Sequence, residues 1–443
     1  MAATSTSPLR PSAITANSRL ALVQRHLELN TPFSTDHRPP LPRQNLQLLG
    51  RRQKSERMST QASHPALMIP GPIEFDDEVL QAMSTSAESH MGMPFVKLIG
   101  ESLEMLRTVF QSKDSSAQPF IVSGSGTLGW DMVASNLSEP GDDVLVLHTG
   151  YFADSFADCF KAYGVNATQL KAPVGDRPQL DAIEKALKEK KYKLLTVTHT
   201  DTSTGVLSEL EALSKLLQKV SPETLFVVDG VCSVGCEELK FDEWKVDVAI
   251  TASQKALGAP TGLSINMVSG RAIETFKSRK SPVNSYFASW KNWLPIMQSY
   301  AAGKPAYFAT PPTQLIHALH TSLKQITSRP ISERFAAHRE ASQRVKKAVA
   351  DLGLKQLASK PENQANGMTA IYLPEGLTPP DVLPKLLSRG VVFAGGLHRE
   401  CASKYIRFGH MGVSVMDPKR DDIEKGIAAL GEALGEAKKE KGL

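Results

Sequence analysis

The stretch LFVVDGVCSVGCEELKFDEWKVDVAITASQK, residues 225–255, contains two short apolar runs that each end in polar groups. Leu225-Phe226-Val227-Val228 ends in Asp229, and Val248-Ala249-Ile250 leads to Ser253-Gln254-Lys255. Apolar runs of this length, bounded by turn residues, read as strands buried on both faces, as in parallel sheets. Working outward, Phe120-Ile121-Val122, Val144-Leu145-Val146-Leu147 and Leu194-Leu195-Thr196-Val197 are of the same kind. Between them lie amphipathic stretches such as 180–190, where Leu180, Ile183 and Leu187 share a helical face. The alternation predicts an α/β fold with a mainly parallel sheet from about residue 67. The segment 280–312, with Pro305, Pro311 and Pro312, reads as loop-rich.

Beyond residue 326 the texture changes. A long charged helix is expected near 331–352, then a strand over Met368–Leu373, and a last helix on which Ile423, Ile427, Leu430 and Leu434 form the core face. The expected organisation is therefore a leader over 1–66, a large domain with an N-terminal arm over 67–325, and a smaller C-terminal α+β domain over 326–443.

The chain has 443 residues, of which 41% are hydrophobic and 22% charged, so it can bury a sizeable core. Its four cysteines are too few and too scattered for a disulfide framework. The net charge of +5 is not spread along the chain. The first 60 residues hold nine Lys or Arg against three acids, and the rest is close to neutral. A body without excess positive charge excludes an electrostatic nucleic-acid binder. The Arg-, Ser- and Pro-rich leader has the composition of a mitochondrial transit peptide. Met58 offers a second start that would give a leaderless, cytosolic product, and the terminal Lys441-Gly442-Leu443 matches a peroxisomal address poorly.

Ligands of open α/β sheets bind beyond the carboxyl ends of the strands, so the polar groups that follow each run are the candidate site. They are Ser123-Gly124-Ser125-Gly126-Thr127, the hydroxyl-dense Thr198–Gly205, Asp229, and Ser253-Gln254-Lys255. Gly124, Gly126 and Gly129 spell the dinucleotide-binding pattern, but the strand that follows ends Leu147-His148-Thr149-Gly150, without the acid that would hold a ribose. Pyridoxal phosphate uses the whole set. It needs a lysine for a Schiff base, an acid to keep the pyridine nitrogen protonated, and a glycine- and hydroxyl-rich phosphate cradle. Lys255, Asp229, and Ser125-Gly126-Thr127 meet these needs. Taken singly, Lys255 would be a surface lysine, Asp229 a helix cap, Arg407 a surface ion pair and Phe152 or Tyr307 a core aromatic.

With Pro70-Gly71-Pro72, the Ser-Gly-Ser-Gly loop, Thr198-His199, Ser203-Thr204-Gly205, Asp229, Ser253-Gln254-Lys255, Tyr307-Phe308-Ala309-Thr310 and Tyr405-Ile406-Arg407-Phe408-Gly409 in this order, the chain resembles the class V aminotransferases of the fold-type I pyridoxal-phosphate enzymes. The resemblance covers about 67–443 and is nearest to the members that use alanine and glyoxylate. It implies a large domain with a mainly parallel seven-stranded sheet flanked by helices. Lys255 would carry the cofactor and move protons, and Asp229 would pair with the pyridinium. Phe152 would lie on the ring, and Thr202 and Gln254 would add polar contacts. Tyr307 and Thr310 would reach the phosphate from a second subunit of a homodimer, and Arg407, with Gly71, would bind the substrate. Thr127 and Phe152 stand where mammalian members carry histidine and tryptophan.

The expected reaction is transamination of small amino acids, with alanine and glyoxylate giving pyruvate and glycine. Serine with glyoxylate or pyruvate is the runner-up. Cysteine desulfuration, suggested by Cys401, is disfavoured because such enzymes place histidine where Gln254 and Phe152 stand. A cofactor-binding scaffold without turnover is disfavoured by the intact Lys255, Asp229 and Arg407. His199 has either a structural or a catalytic reading, and Cys232 and Cys236 are expected to be packing residues without metal.

Overall fold

The computed structural model describes residues 60–443. The leader, Met58 and the targeting it would carry lie outside the described residues, apart from the last few positions before the first strand. That strand is β1 (Ala66–Leu67), and it is followed by β2 (Gln118–Ser123), β3 (Asp143–His148), β4 (Asn166–Lys171), β5 (Leu194–Thr198), β6 (Leu225–Asp229), β7 (Val248–Ala252) and β8 (Leu263–Val268). Strands β2 to β8 form one seven-stranded sheet in the order β2-β8-β7-β6-β5-β3-β4. Only β8 runs against its neighbours β2 and β7, so the sheet is mainly parallel as the sequence predicts.

Two of the seven strands are missing from the sequence reading, for different reasons. Asn166–Lys171 is an edge strand, mostly exposed or half-exposed, and it lacks an apolar run. Leu263–Val268 is fully buried, but Ser264 and Asn266 interrupt its apolar pattern. The antiparallel β8 matters for the site. Parallel neighbours need a long crossover, whereas β7 returns to β8 through the short connection 253–262, which holds Lys255 at the carboxyl end of β7.

Helices cover both faces of the sheet. The expected helix at 180–190 is Leu180–Glu189, with Ile183 and Leu187 buried and Leu180 exposed. The segment 280–312 is less loop-rich than its prolines suggest. It contains the helix Trp290–Ala301, whose Trp290, Trp293 and Tyr300 are buried while Pro295 sits inside the helix.

The C-terminal part has its own core. Strands β9 (Met368–Tyr372), β11 (Ala394–Gly395) and β12 (Tyr405–Gly409) form an antiparallel sheet in the order β11-β12-β9, and β10 (Val391–Val392) pairs in parallel with β1. Helix Asp422–Lys441 buries Ile423, Leu430 and Leu434, and Ile427 packs at the margin. Met68 belongs to this later core, so the N-terminal arm crosses to it. Among the described residues, no helix is long and apolar enough to cross a membrane.

Candidate active site

A cavity of about 160 Å³ opens where the parallel strands end. The chain leaves β3 toward β4 on one side, whereas β5, β6 and β7 build toward the other, so the crevice lies beside a switch in strand order. Ser125, Gly126, Thr127, Phe152, Thr202, Asp229, Gln254 and Lys255 all line it, so eight candidates from five separate stretches of sequence converge there.

Asp229 ends β6 with 3% of its surface exposed. Its carboxylate accepts hydrogen bonds from the Val231 backbone N–H and from Trp130 Nε1, both at 3.0 Å. Burial nevertheless pushes its pKa up to about 6. A carboxylate held there keeps its charge best beside a cation, and a protonated ring nitrogen would supply one. Lys255 is also buried, and its Nζ donates to the carbonyl of Pro70. Burial pulls its pKa below the usual lysine value, against the attraction of Cys232 and Asp229. Gly71, in the left-handed region at φ +113°, faces this side chain, and a Cβ there would lie 2.6 Å from Lys255 Cε.

The end of the cavity at Ser125 is equally specific. Ser125 caps the helix Gly126–Leu137 without a side-chain hydrogen bond, which leaves the first-turn N–H groups at the cavity wall. Gly129, one turn on, serves helix packing, because a Cβ there would sit 2.8 Å from Asn266 Oδ1. Gln254 Oε1 and Thr200 Oγ1 line the same space, and both are buried without a partner among the described residues. Unpaired polar atoms, an exposed helix start, an acid in need of a cation and an amine of lowered pKa together fit pyridoxal phosphate.

Arg407 stands just outside the lining. It is 9% exposed, on β12; its Nε donates to Gly395 O at 2.7 Å and its Nη1 to Thr202 O at 3.1 Å. Two residues earlier, Tyr405 donates from its hydroxyl to Ser203 O at 2.6 Å. The strand that carries Arg407 is therefore bonded to the turn that contributes Thr202 to the cavity.

Tyr307 and Thr310 are not brought to the cavity. Tyr307 is 60% exposed, against His90, and Thr310 is also exposed. His199 is buried with Nδ1 2.9 Å from Ser233 Oγ, and burial pulls its pKa down to about 3, which favours its structural reading. Cys401 is buried at Tyr372, away from the lining, and burial pushes its thiol up, the opposite of a reactive thiolate.

Sequence reasoning missed Trp130, Val231 and Cys232 as cavity residues, whereas Thr198 and Thr200 belong to the hydroxyl-dense stretch it singled out. Trp130 had a signal, since it lies one helical turn beyond Gly126 and so points the same way. Cys232, expected to be only a packing residue, is buried but lines the cavity.

The family model described as "Aminotransferase class-V" matches residues 77–415, which spans Asp229 and Lys255 and every cavity residue. The chain is a class V aminotransferase. It is 46% identical over 357 residues to alanine–glyoxylate aminotransferase 1 of Saccharomyces cerevisiae, covering 79% of this chain and 92% of the yeast protein. Serine–glyoxylate aminotransferase of Arabidopsis thaliana is 30% identical, over 78% of this chain and 85% of the plant protein. Among solved structures, the alanine–glyoxylate aminotransferase of Nostoc sp. superposes with a TM-score of 0.78 at 29% identity, covering 84% of this chain and 96% of the other. The aminotransferase therefore has the fold-type I architecture, a seven-stranded, mainly parallel sheet with a C-terminal α+β part.

Proposed function

We propose that this aminotransferase holds pyridoxal phosphate in the cavity and transfers the amino group of alanine to glyoxylate, giving pyruvate and glycine. The observation that carries the reading is the convergence of Lys255, Asp229 and the uncapped helix start at one cavity wall, with Arg407 bonded to its Thr202 edge. When bound, the cofactor supplies an electron sink for charge that develops at a substrate Cα. The residues of the chain supply the rest. Lys255, its ammonium form disfavoured by burial, is suited to attack a carbonyl and to move a proton at Cα. Asp229 holds a cation at the far end of the ring, Phe152 offers it an apolar face, and the amides beside Gly126 and Thr127 hold the phosphate. No described residue engages Arg407 Nη2, which leaves that nitrogen for a substrate carboxylate and fixes the Cα orientation. Donor and acceptor use the site in turn, so one carboxylate clamp serves both.

Similarity supports alanine as the donor, at 46% identity to the yeast alanine–glyoxylate enzyme against 30% to the plant serine–glyoxylate enzyme. The second level of similarity keeps serine as the runner-up. Steady-state rates with alanine, serine and aspartate, each paired with glyoxylate, separate the donors. A higher kcat/KM for serine or aspartate than for alanine would displace the alanine assignment.

The proposal includes a homodimer in which Tyr307 and Thr310 complete the phosphate site of the other subunit. Supporting it, Tyr286, Tyr307, Met93, Met91 and Phe287 are exposed large apolar side chains, and Tyr286 and Phe287 both pack on Phe308. The proposed location is mitochondrial, on the composition of the leader. A reporter fused to residues 1–60 should enter mitochondria, and a diffuse cytosolic signal would contradict this.

A further inference from the structure

Helix Ile331–Asp351 carries a polar stripe that the proposed chemistry does not use. Arg334, His338, Ser342 and Lys346 recur every four residues and so share one face. All four turn inward, and each bonds the main chain of another segment. Arg334 Nε donates to Gly235 O at 2.8 Å and its Nη2 to Ala256 O at 2.6 Å. His338 Nε2 accepts from Gly412 N at 3.0 Å, which leaves its Nδ1 to donate to Arg334 O at 2.7 Å. Ser342 Oγ donates to Ala365 O at 3.3 Å, and Lys346 Nζ donates to the same carbonyl at 2.9 Å. The stripe thus clasps four segments: the stretch after Asp229, the Lys255 turn, the chain leaving the Arg407 strand, and the entry to β9.

Arg334 is the costly member. It is 9% exposed and forms no ion pair with a carboxylate among the described residues. A buried guanidinium without a counter-ion is expensive, and a hydrophobic residue of similar volume would be the cheaper way to fill the same space. What the guanidinium alone provides is two rigid donors in a fork, and both go to main-chain carbonyls near catalytic side chains. Ala256 is the residue after Lys255, and Gly235 lies in the segment that follows Asp229. Gly235 is also packed on Ala256, since a Cβ there would lie 3.3 Å from Ala256 C and O.

We propose that Arg334 is a positioning residue for the reaction. Its fork ties the Lys255 turn to the Asp229 segment and both to a helix whose His338 also holds the chain after the Arg407 strand through Gly412, so that the amine and the ring acid keep one spacing. The inference rests on Lys255 being the reacting amine, as proposed above.

The test uses the holoenzyme and two variants. Arg334→Met fills the volume without donors, and Arg334→Lys keeps the charge with a single amine. The readout is the half-reaction with alanine, followed as the decay of the visible cofactor band, which yields a rate at saturation and an apparent dissociation constant. Arg334→Met should lose about 10- to 100-fold in the saturating rate, the cost of a misplaced reacting group, while alanine binding stays within about threefold because Arg407 is untouched. Arg334→Lys should recover part of that rate. A folded Arg334→Met holoenzyme with the wild-type rate would overturn the inference, whatever its melting temperature. If Arg334→Met does not fold, Arg334→Lys decides alone: a saturating rate several-fold below wild type supports the inference, and an unchanged one overturns it. A wild-type enzyme without a visible band, or with a band that no amino donor moves, would instead break the proposed function.

Discussion

The wall of the cavity built by the seven-stranded sheet differs sharply from the Tyr307–Thr310 segment. Asp229 and Lys255 are buried, and their polar atoms have partners within the same chain: Trp130 and Val231 for the acid, Pro70 for the amine. Tyr307 is 60% exposed and does not line the cavity. The proposed ring end of the site is formed within one chain. The proposed phosphate contacts of Tyr307 and Thr310 have work to do only if this surface meets another copy.

The largest expected effect breaks the first half of the comparison. Lys255→Ala should remove the visible band of a lysine-bound cofactor and lower kcat by at least ~10⁴-fold; spectra and steady-state rates check it, and a surviving normal band would exclude Lys255 as the attachment point. Asp229→Asn, which keeps the shape but not the charge, should cost roughly 10²- to 10³-fold in kcat. A variant within a few-fold of wild type would deny the ring acid its role. Arg407→Ala should raise KM for alanine and glyoxylate by about 10²-fold while the band persists. Unchanged KM values would remove the carboxylate clamp.

The smallest effect sharpens the second half. Tyr307→Ala should weaken cofactor retention by about tenfold, the worth of a hydrogen bond to a charged group. If the subunit exchange is real, adding Lys255→Ala chains to Tyr307→Ala chains should restore an intact site in some mixed dimers, and activity should rise on mixing. No rise, at a mass that shows mixed dimers, would place the Tyr307 segment outside the site.

A pH series probes the buried polar groups. Asp229 and Glu237 have folded pKa values raised by burial, to about 6 and about 7. Their stabilising contribution to the cofactor-free protein is full below their unfolded values and is lost as pH rises through those folded values. His199, His338 and His410 are shifted the other way, each to about 3 by burial, so their contribution is present above about 6.5 and is lost as pH falls toward 3. Replacing His410 with Gln should flatten the acid limb of a melting-temperature profile and leave the limb above pH 7 alone. An unaltered acid limb would contradict its burial as a neutral ring.

What was legible in the sequence follows the same division. Strands that are apolar throughout, such as Val144–Leu147 and Leu225–Val228, announce themselves, because a parallel sheet buries both faces. The edge strand Asn166–Lys171 and the polar-interrupted Leu263–Val268 do not, since neither periodicity nor hydropathy marks them. Site residues that follow strands, Asp229 and Lys255 above all, were readable because strand ends dictate where ligands sit. Trp130 and Val231 were not, because their roles come from tertiary convergence. Arg334 looked like one charge among many on a charged helix, and only the carbonyls it meets set it apart.

The most direct test of the central claim is one absorbance experiment on the purified aminotransferase, with alanine added first and glyoxylate second. The account predicts a visible band that alanine bleaches to the pyridoxamine form and glyoxylate restores, which would establish both half-reactions at one site. A band that alanine leaves untouched while serine or aspartate moves it would contradict the substrate assignment, and no band after adding pyridoxal phosphate would contradict the site itself.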